Sequence, residues 1–457
     1  MRAKPIRVAA GTTPGAKSVN SSRPEGTIGV LGSMVPPLLP PEPVTNHAAQ
    51  SFKNGEVHHW YRLVLGFSDH LVSDLIDEFK LKTGDAVLDP FSGSGTTAVE
   101  CRKRGIDCWA VDANPVARFA TEVKTTWSTN RSELILQALR VVDIFAEFRE
   151  QTDILKTDRT ATYLVEEGMV DRGWISYRRL YDVVAIKQAI LAATNAGQVR
   201  NFLLLAAMNE FVHTASNVRY GPELYCGAPR KGRVVDAFLH KILTMAQDLD
   251  AARFCPPSQV TVKHGDSRNL LRGWIKPPHG GFASVITSPP YPTEHDYTRN
   301  TRLELAFLEM VWDRDSLRTV KRRMIRSHTK GIYTTDRDTA FVRQIPRIRR
   351  LVERIEQKAK DKDYGFARLY GKVTNEYFGG MRRHFRTLHP LLKTGAHCAY
   401  VVGDQSSYFQ IKIATAEILS DLACREGFKQ LEIRKWRERW SSATAKFIKE
   451  HILILKA

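Results

Sequence analysis

The 457-residue sequence lacks the features that mark membrane-spanning, zinc-binding and disulfide-linked proteins. Its six cysteines form no Cys-x-x-Cys pair, so we predict neither a disulfide framework nor a metal site. No run of about 18 apolar residues occurs, which excludes a membrane-spanning helix and argues against a membrane partner. Hydrophobic residues make up 43% of the chain, which is enough for a large core. We therefore expect a soluble globular protein in a reducing compartment.

Acidic residues are too few to balance the basic ones. Lys and Arg number 68 against 49 Asp and Glu, which gives a formal net charge of +19. Such an excess favours a polyanionic partner, most often nucleic acid, although a basic protein without such a partner stays an alternative. Residues 314–372 hold 18 Lys and Arg against 7 Asp and Glu, so this segment alone contributes +11 of the charge.

Composition and periodicity predict where the chain changes character. Residues 1–45 are rich in Pro, Gly and Ser and predict a disordered tail. An α/β core is predicted at 46–130, 256–313 and 378–457, because apolar runs typical of strands occur at 86–88, 108–111, 260–262, 284–287, 397–404 and 451–455. A helical insertion is predicted at 131–255, with helices at 132–149, 178–193, 198–216 and 234–253, and a basic insertion at 314–377.

A strand, a glycine-rich turn and a helix follow one another near the start of the core. Gly93 and Gly95 lie between the strand at 86–88 and a predicted helix at 97–104, and the next strand ends on Asp112. Glycine allows the backbone to approach a ligand, and an acid in this position can accept hydrogen bonds from ribose hydroxyls. No Lys follows the glycines, which excludes a P-loop, and the third glycine of the dinucleotide fingerprint is absent. A nucleoside without a pyrophosphate therefore fits better than NAD.

Two motifs resemble those of the DNA amino-methyltransferases. The first is similar to that family's S-adenosylmethionine-binding motif and consists of Asp89, Pro90, Phe91, Ser92, Gly93, Ser94, Gly95, Thr96 and Thr97. The second is similar to its catalytic motif and consists of Ser288, Pro289, Pro290 and Tyr291. The resemblance implies a Rossmann-like class I methyltransferase fold, which is an α/β fold with a mostly parallel seven-stranded sheet.

The same resemblance implies further contacts with S-adenosylmethionine as the cofactor. Asp112, followed by Ala113 and Asn114, matches the acid that binds the ribose. Asp266, followed by Ser267, matches the acid that binds the adenine amino group. The segment at 58–61 resembles the family's amino-terminal cofactor motif more loosely.

The tetrapeptide that starts at Ser288 suits methyl transfer to an exocyclic amine. A sulfonium methyl group is already activated, so no covalent nucleophile is needed, and the chain has no Pro-Cys dipeptide of the kind that C5-cytosine transfer uses. Ser288 Oγ and the Pro289 carbonyl would accept the two amino hydrogens, and Tyr291 would stack on an extruded base. Tyr297, Arg299 and Glu304 follow closely, and they either line a base pocket or serve helix packing and salt bridges.

The sequence therefore predicts a DNA methyltransferase that modifies a flipped base in duplex DNA. Serine at the first motif position favours cytosine N4, because serine is commonest there among the family's cytosine-N4 enzymes. Adenine N6 is the alternative, followed by an RNA amino-methyltransferase and a non-catalytic DNA-binding protein. We expect the protein in a prokaryotic cytoplasm, associated with the nucleoid, and we expect a restriction endonuclease as a candidate partner.

Two basic surfaces are candidates for DNA binding. Arg343, Arg347, Arg350 and Arg354 recur at helical spacing and predict one face of a helix that follows phosphates, with a merely solvated face as the alternative. Arg230 and Lys231 belong to a polar loop at 215–233, which is the second candidate surface.

Overall fold

The structure is a computed structural model that describes residues 57–63, 66–220, 224–360, 362, 365–406, 408–441 and 446–457. The tail predicted at 1–45 lies outside these residues. Within them, no helix is long and apolar enough to cross a membrane. The described chain forms an α/β fold, as the sequence predicts.

The chain alternates between strands and helices in its core and is mainly helical between 131 and 252. The strands are β1 (Ala86–Asp89), β2 (Asp107–Asp112), β3 (Val218–Tyr220), β4 (Leu224–Cys226), β5 (Val260–His264), β6 (Phe282–Thr287), β7 (Leu392–Gly403), β8 (Lys429–Ser441) and β9 (Lys446–Lys456). The helices are α1 (Asp69–Glu78), α2 (Thr96–Lys103), α3 (Pro115–Lys124), α4 (Arg131–Glu150), α5 (Ile154–Thr157), α6 (Arg159–Glu166), α7 (Tyr177–Ala193), α8 (Gln198–Glu210), α9 (Val234–Ala252), α10 (Tyr297–Asn300), α11 (Arg302–Phe307), α12 (Arg314–Arg323), α13 (Pro346–Lys360), α14 (Tyr370–Leu388) and α15 (Thr415–Cys424).

One sheet of seven strands organises the core, in the order β5-β2-β1-β6-β7-β9-β8. The first five of these strands run parallel, and β9 pairs antiparallel with both β7 and β8. The predicted fold class, a mostly parallel seven-stranded sheet, is confirmed. The strands that follow β1 in the chain, β2 and β5, lie on one side of β1 in the sheet. The next strand of this sheet, β6, pairs with the other side of β1. The carboxyl ends of β1 and β6 therefore flank a switch point, where open α/β sheets bind their ligands.

Burial explains why the central strands form where they do. All four residues of β1 are buried, and β6 has only one residue that is not fully buried. Strands covered on both faces are nearly continuous apolar runs, which is the pattern typical of parallel sheets. In the helical insertion, α8 is buried on most sides through residues such as Phe202, Leu205 and Met208, as its apolar sequence predicts.

Three details differ from the sequence prediction. The loop predicted at 215–233 contains the two-stranded hairpin β3–β4. The edge strand β8 has no counterpart among the predicted strands, since its charged sequence lacks an apolar run. Helix α13 begins at Pro346, a residue that favours the first helical position, so Arg343 precedes the helix and does not share its face.

Candidate active site

A cleft opens at the carboxyl ends of β1, β2 and β6, with a volume of about 1100 Å³ counted to its open mouth. The glycine-rich loop after β1 and the tetrapeptide after β6 line this same cleft. The residues that the sequence analysis assigned to the cofactor or catalytic site and that line the cleft are Pro90, Phe91, Ser92, Gly93, Ser94, Thr96, Asp112, Ala113, Asn114, Ser267, Ser288, Pro289, Pro290 and Tyr291. The structure thus brings the glycine-rich loop and the tetrapeptide together in one cleft.

The glycine-rich loop is held by its backbone conformation and by Asp112. Gly93 has a φ of 53°, and its amide donates a hydrogen bond of 2.8 Å to Asp112 Oδ2. Gly95 has a φ of 84°, and a Cβ atom added there would lie 2.9 Å from the Thr121 side chain. Glycine is therefore required at Gly95 both for the left-handed backbone and for the close approach of α3.

Lys124 connects the glycine-rich loop to the segment around Tyr61 through hydrogen bonds. The ammonium group of Lys124 donates hydrogen bonds to the backbone carbonyls of Ser94 and Tyr61, at 2.8 Å and 3.3 Å. Burial lowers the pKa of Lys124 to about 7. Nearby, Leu63, Gly66 and Phe67 line the cleft, so the segment that follows 58–61 forms part of the wall.

Asp112 presents a carboxylate at the wall of the cleft. Its Oδ1 atom accepts a hydrogen bond of 2.7 Å from the amide of Asn114, which complements the bond from Gly93 to Oδ2. Burial raises the pKa of Asp112 to about 6, and hydrogen bonds from these amides oppose the rise. The group is therefore mostly ionised at neutral pH, as an acceptor for hydroxyl donors requires.

Asp89 and Thr97 lie beneath the cleft rather than on its wall. Asp89 Oδ1 accepts a hydrogen bond of 2.6 Å from Thr287, and Thr97 Oγ1 donates one of 3.1 Å to the carbonyl of Ile286. Burial raises the pKa of Asp89 to about 7. The sequence assigned both residues to cofactor binding; in the structure Asp89 joins the carboxyl end of β1 to that of β6, and Thr97 joins the start of α2 to β6.

Asp266 is held by an ion pair beside the cleft. Its two carboxylate oxygens accept hydrogen bonds from Arg268 and Asn269 at 2.8–3.0 Å, and the buried Arg268 pairs in turn with Asp338. The neighbouring Ser267 lines the cleft, whereas Asp266 does not. The carboxylate of Asp266 is thus bonded to an arginine two residues later, and the proposed contact with the adenine amino group stays a prediction.

The catalytic tetrapeptide is held against β7. Ser288 Oγ donates a hydrogen bond of 3.1 Å to the carbonyl of Val401, and the Tyr291 hydroxyl donates one of 3.4 Å to the same carbonyl. The amide of Tyr291 donates to the hydroxyl of Tyr297 at 3.2 Å. Burial raises the pKa of Tyr291, so its hydroxyl stays protonated at neutral pH. The hydrogen of Ser288 is thereby donated to β7, and Oγ, which also lies 3.5 Å from the Tyr291 hydroxyl, keeps a lone pair for a further donor.

Comparison with known proteins agrees with this geometry. A family model for N6/N4 DNA methylases matches residues 54–118, which include the glycine-rich loop and Asp112. The chain is 27% identical over 425 residues to the type II methyltransferase M.BsoBI of Geobacillus stearothermophilus, covering 85% of this chain and 82% of that protein. It is 24% identical over 411 residues to the type II methyltransferase M.AvaI of a Nostoc species, covering 83% and 80%. These matches show that the chain is similar to DNA amino-methyltransferases.

A further relative of the methyltransferase covers only part of it. The type II methyltransferase M.MvaI of Kocuria varians is 26% identical over 246 residues, which is 49% of this chain and 51% of that protein. The two longer matches extend well beyond the residues of the two motifs.

The basic segment of the methyltransferase contributes to the cleft, which the sequence did not predict. Arg323, Met324 and Ile325 line it directly. Lys321 pairs with Asp296 at 2.7 Å, and Asp296 caps the helix α10 that follows the catalytic tetrapeptide. The three lining residues Arg323, Met324 and Ile325 lie more than thirty positions beyond Tyr291, and no local pattern distinguishes them from the rest of the basic segment. Other lining residues that the motifs did not indicate are Ala117, His295, Asn300 and Thr301.

The candidate DNA-binding arginines of α13 separate into two groups. Arg347 pairs with Glu417 and Asp421 of α15, so it serves the packing of two helices. Arg350 and Arg354 are exposed on α13. In the second candidate surface, Lys231 is exposed, whereas Arg230 donates hydrogen bonds to the carbonyls of His213 and Val218. Of the predicted arginine stripe, Arg350 and Arg354 are the exposed members that lie on α13.

Proposed function

We propose that this methyltransferase transfers the methyl group of S-adenosylmethionine to the exocyclic amine of a flipped base in duplex DNA, and that the base is cytosine, methylated at N4. The observation that carries the proposal is the single cleft lined by both the glycine-rich loop and the tetrapeptide at Ser288. A donor held by the loop and an acceptor held by the tetrapeptide would meet within this cleft. Close positioning of two reactants can supply a large part of a rate enhancement.

The residues of the cleft fit S-adenosylmethionine. Ser92 Oγ lines the cleft, is buried, and has no hydrogen-bond partner within the described residues, so it can accept or donate a bond to a ligand. The Asp112 carboxylate suits ribose hydroxyls, and Pro90 and Phe91 provide apolar contacts. S-adenosylmethionine supplies a methyl group on a positively charged sulfur, which an amine can accept without a covalent enzyme intermediate.

Ser288 would orient the amine of the base. Because its hydrogen is donated to Val401, the Oγ lone pairs can accept a hydrogen from the amino group, and the Pro289 carbonyl can accept the other. Two acceptors on the amino hydrogens favour a pyramidal nitrogen whose lone pair points at the methyl carbon. Tyr291 offers its ring for stacking with the extruded base and is held by Tyr297 and Val401.

The assignment to cytosine N4 rests on serine at the first position of the tetrapeptide. A neutral hydroxyl is a weaker acceptor than a carboxylate, and serine at this position resembles the cytosine-N4 members of the family. Adenine N6 is the second candidate, since its amine and neighbouring ring nitrogen have the same arrangement. The buried and hydrogen-bonded Asp112 at the cleft argues against a protein that binds DNA without catalysis.

Nucleoside digests test this proposal. Unmethylated DNA incubated with the protein and labelled S-adenosylmethionine should yield N4-methylcytosine after digestion, detected by mass spectrometry. N6-methyladenine as the sole product would overturn the cytosine assignment. Label in RNA and not in duplex DNA would identify an RNA methyltransferase. DNA retardation without labelled methyl at any protein concentration would identify a binding protein, and DNA from a reaction without the protein is the control.

A second prediction concerns the DNA surface on α13. Replacing both Arg350 and Arg354 with glutamate is expected to weaken DNA binding and to lower the salt dependence of log K by roughly one unit for each lost phosphate contact. The measurement is a titration of duplex DNA at several salt concentrations. Arg349→Glu is the matched control, since Arg349 is exposed on the same helix near Glu353. A salt dependence unchanged in the double variant would place the DNA surface elsewhere.

The names of the relatives extend the proposal to the cellular context. The two long matches are named type II methyltransferases. We therefore propose a companion restriction endonuclease that recognises the same DNA sequence, and action on bacterial DNA in the cytoplasm. The proposed methylation would then protect that sequence from the endonuclease.

A further inference from the structure

A second cavity lies beside the cleft and shares part of its wall. Leu63, Gly66, Asn300 and Thr301 line both spaces. The second cavity has a volume of about 1320 Å³ counted to its mouth, and its remaining lining consists of His59, Tyr61, Arg62, Asn209, Glu210, Val212, His213, Tyr220, Lys241 and Glu304. Neither motif contributes to it, so the methyl-transfer site does not account for this cavity.

Glu304 is the unusual member of this lining. It is only 3% exposed, and its Oε1 atom accepts a hydrogen bond of 2.9 Å from the hydroxyl of Tyr61. Its Oε2 atom is buried and has no hydrogen-bond partner in the part of the chain that is described. A buried carboxyl oxygen without a hydrogen-bond partner is unfavourable, so such an atom in a cavity wall points to a ligand.

Burial also decides the charge of Glu304. It raises the pKa of this carboxyl group to about 7, so below that pH the group is mainly the neutral acid. Since Oε1 accepts from Tyr61, the acid hydrogen belongs on Oε2, the atom that lacks a partner. The neutral group therefore donates through Oε2 and can still accept through Oε1. A neighbouring ring nitrogen and amino group on a ligand would satisfy both atoms.

The other lining residues suit a nucleotide. The ring of Tyr220 is partly exposed and can contact a flat base, and Asn209 supplies an amide group. Arg62 and Lys241 add positive charge, which favours a phosphate. The carboxyl oxygens of Glu210 are already bonded to Asn209 and Thr214, so Glu304 is the acid of this cavity with an oxygen still to be satisfied among the described residues.

We propose that the second cavity binds a nucleotide of the DNA substrate whose base has an amino group next to an unprotonated ring nitrogen, with Glu304 as the residue that recognises this edge. This inference rests on the proposed function, because it takes DNA as the substrate. An amino group bonded to Glu304 cannot at the same time contact Ser288, since the two residues line different spaces. The cavity therefore recognises a base that is not being methylated.

Two nucleotides that differ only at this edge test the inference. Deoxycytidine monophosphate has an amino group and an unprotonated N3, whereas deoxyuridine monophosphate has a carbonyl and an N3–H. Calorimetric titration of the full-length protein at pH 6 should show about tenfold tighter binding of the cytidine nucleotide, which corresponds to about one hydrogen bond. The preference should fall above pH 7, because the ionised Glu304 loses its donor and repels the N3 lone pair.

Substitutions at Glu304 and Glu210 test whether the preference for the cytidine nucleotide arises in the second cavity. Glu304→Gln should keep the preference for the cytidine nucleotide without its pH dependence, because an amide has a donor and an acceptor at every pH. Glu304→Leu should lose the preference, and Glu210→Gln is the matched control that should keep both the preference and its pH dependence. Equal affinity for the two nucleotides, no binding at millimolar concentration, or a preference that survives in Glu304→Leu would each overturn the inference.

A parallel assay separates this inference from the proposed function. The same wild-type preparation is assayed for labelled methyl transfer to DNA. Absent transfer with the nucleotide preference intact would overturn the proposed function and leave the nucleotide site. Methyl transfer to DNA without the nucleotide preference would support the proposed function and overturn the inference about the second cavity. Ser288→Ala should leave the preference unchanged, and a preference that disappears in this variant would place nucleotide binding in the cleft and overturn the inference.

Discussion

Replacing Ser288 with alanine is expected to lower the methyl-transfer rate by about 10²–10³-fold, which is typical of removing one oriented hydrogen-bonding group from an active site. The variant loses the oxygen that would accept an amino hydrogen of the base. It keeps the glycine-rich loop and Asp112, so the affinity for S-adenosylmethionine should not change. Single-turnover transfer of labelled methyl to DNA and calorimetric binding of the cofactor measure the two effects separately.

Ser284→Ala is the matched control for this substitution. Ser284 lies on β6, the strand that Ser288 follows directly, and its hydroxyl donates to the carbonyl of His397 on β7, as that of Ser288 donates to Val401. Both variants therefore lose one hydrogen bond to a carbonyl of β7, and only Ser288 lines the cleft. Similar rates for Ser288→Ala and Ser284→Ala would show that Ser288 has only a structural role.

Replacing Asp112 with alanine should raise the dissociation constant for S-adenosylmethionine by at least about 10²-fold. A hydrogen bond to a charged group contributes about 1.5–3 kcal/mol, and two ribose hydroxyls would be affected. The alanine variant also removes the acceptor for the amides of Gly93 and Asn114, which would loosen the loop that lines the cleft. Calorimetry with S-adenosylmethionine, or with its demethylated product, measures this effect.

Two further variants separate binding from stability at Asp112. Asp107→Ala removes a carboxylate from the other end of β2, where it accepts from the amide of Gln259, and it should leave cofactor affinity unchanged. Asp112→Asn keeps an oxygen acceptor and the size of the side chain but removes the charge, so it should have an intermediate affinity. Wild-type affinity in Asp112→Ala would remove Asp112 from the cofactor site.

Local sequence signals predicted much of the core. The apolar runs placed β1, β2, β5, β6 and β7 within a few residues, because strands buried on both faces need continuous apolar sequence. Helical periodicity placed α4, α7, α8 and α9 similarly well. The edge strand β8 was missed because its alternating charged residues are compatible with a strand or with a solvated segment. Its assignment depends on pairing with β9, a contact that no local pattern shows.

The candidate site was predictable to the extent that its residues belong to short motifs. Glycine at Gly93 and Gly95 and the acid at Asp112 follow from backbone geometry and strand order, and the structure places Gly93 and Asp112 on the wall of the cleft and Gly95 in the turn beside it. The position of Asp266 was not predictable in this way. A nearby arginine competes for its carboxylate, and the ion pair of that arginine with Asp338 comes from a distant part of the chain.

By itself the sequence determined the excess of positive charge, the order of strands and helices in the core, and the two motifs at the carboxyl ends of β1 and β6. These features follow from local chemistry, since burial, helical spacing and turn geometry each depend on residues close together in the chain. The tertiary structure decided which of those residues share one cleft, that Asp89 of β1 and Thr97 of α2 both bond to β6, and that Arg347 pairs with α15. It also brought Glu304 beside Tyr61 to form the second cavity, because contacts between residues far apart in sequence arise only when the chain packs.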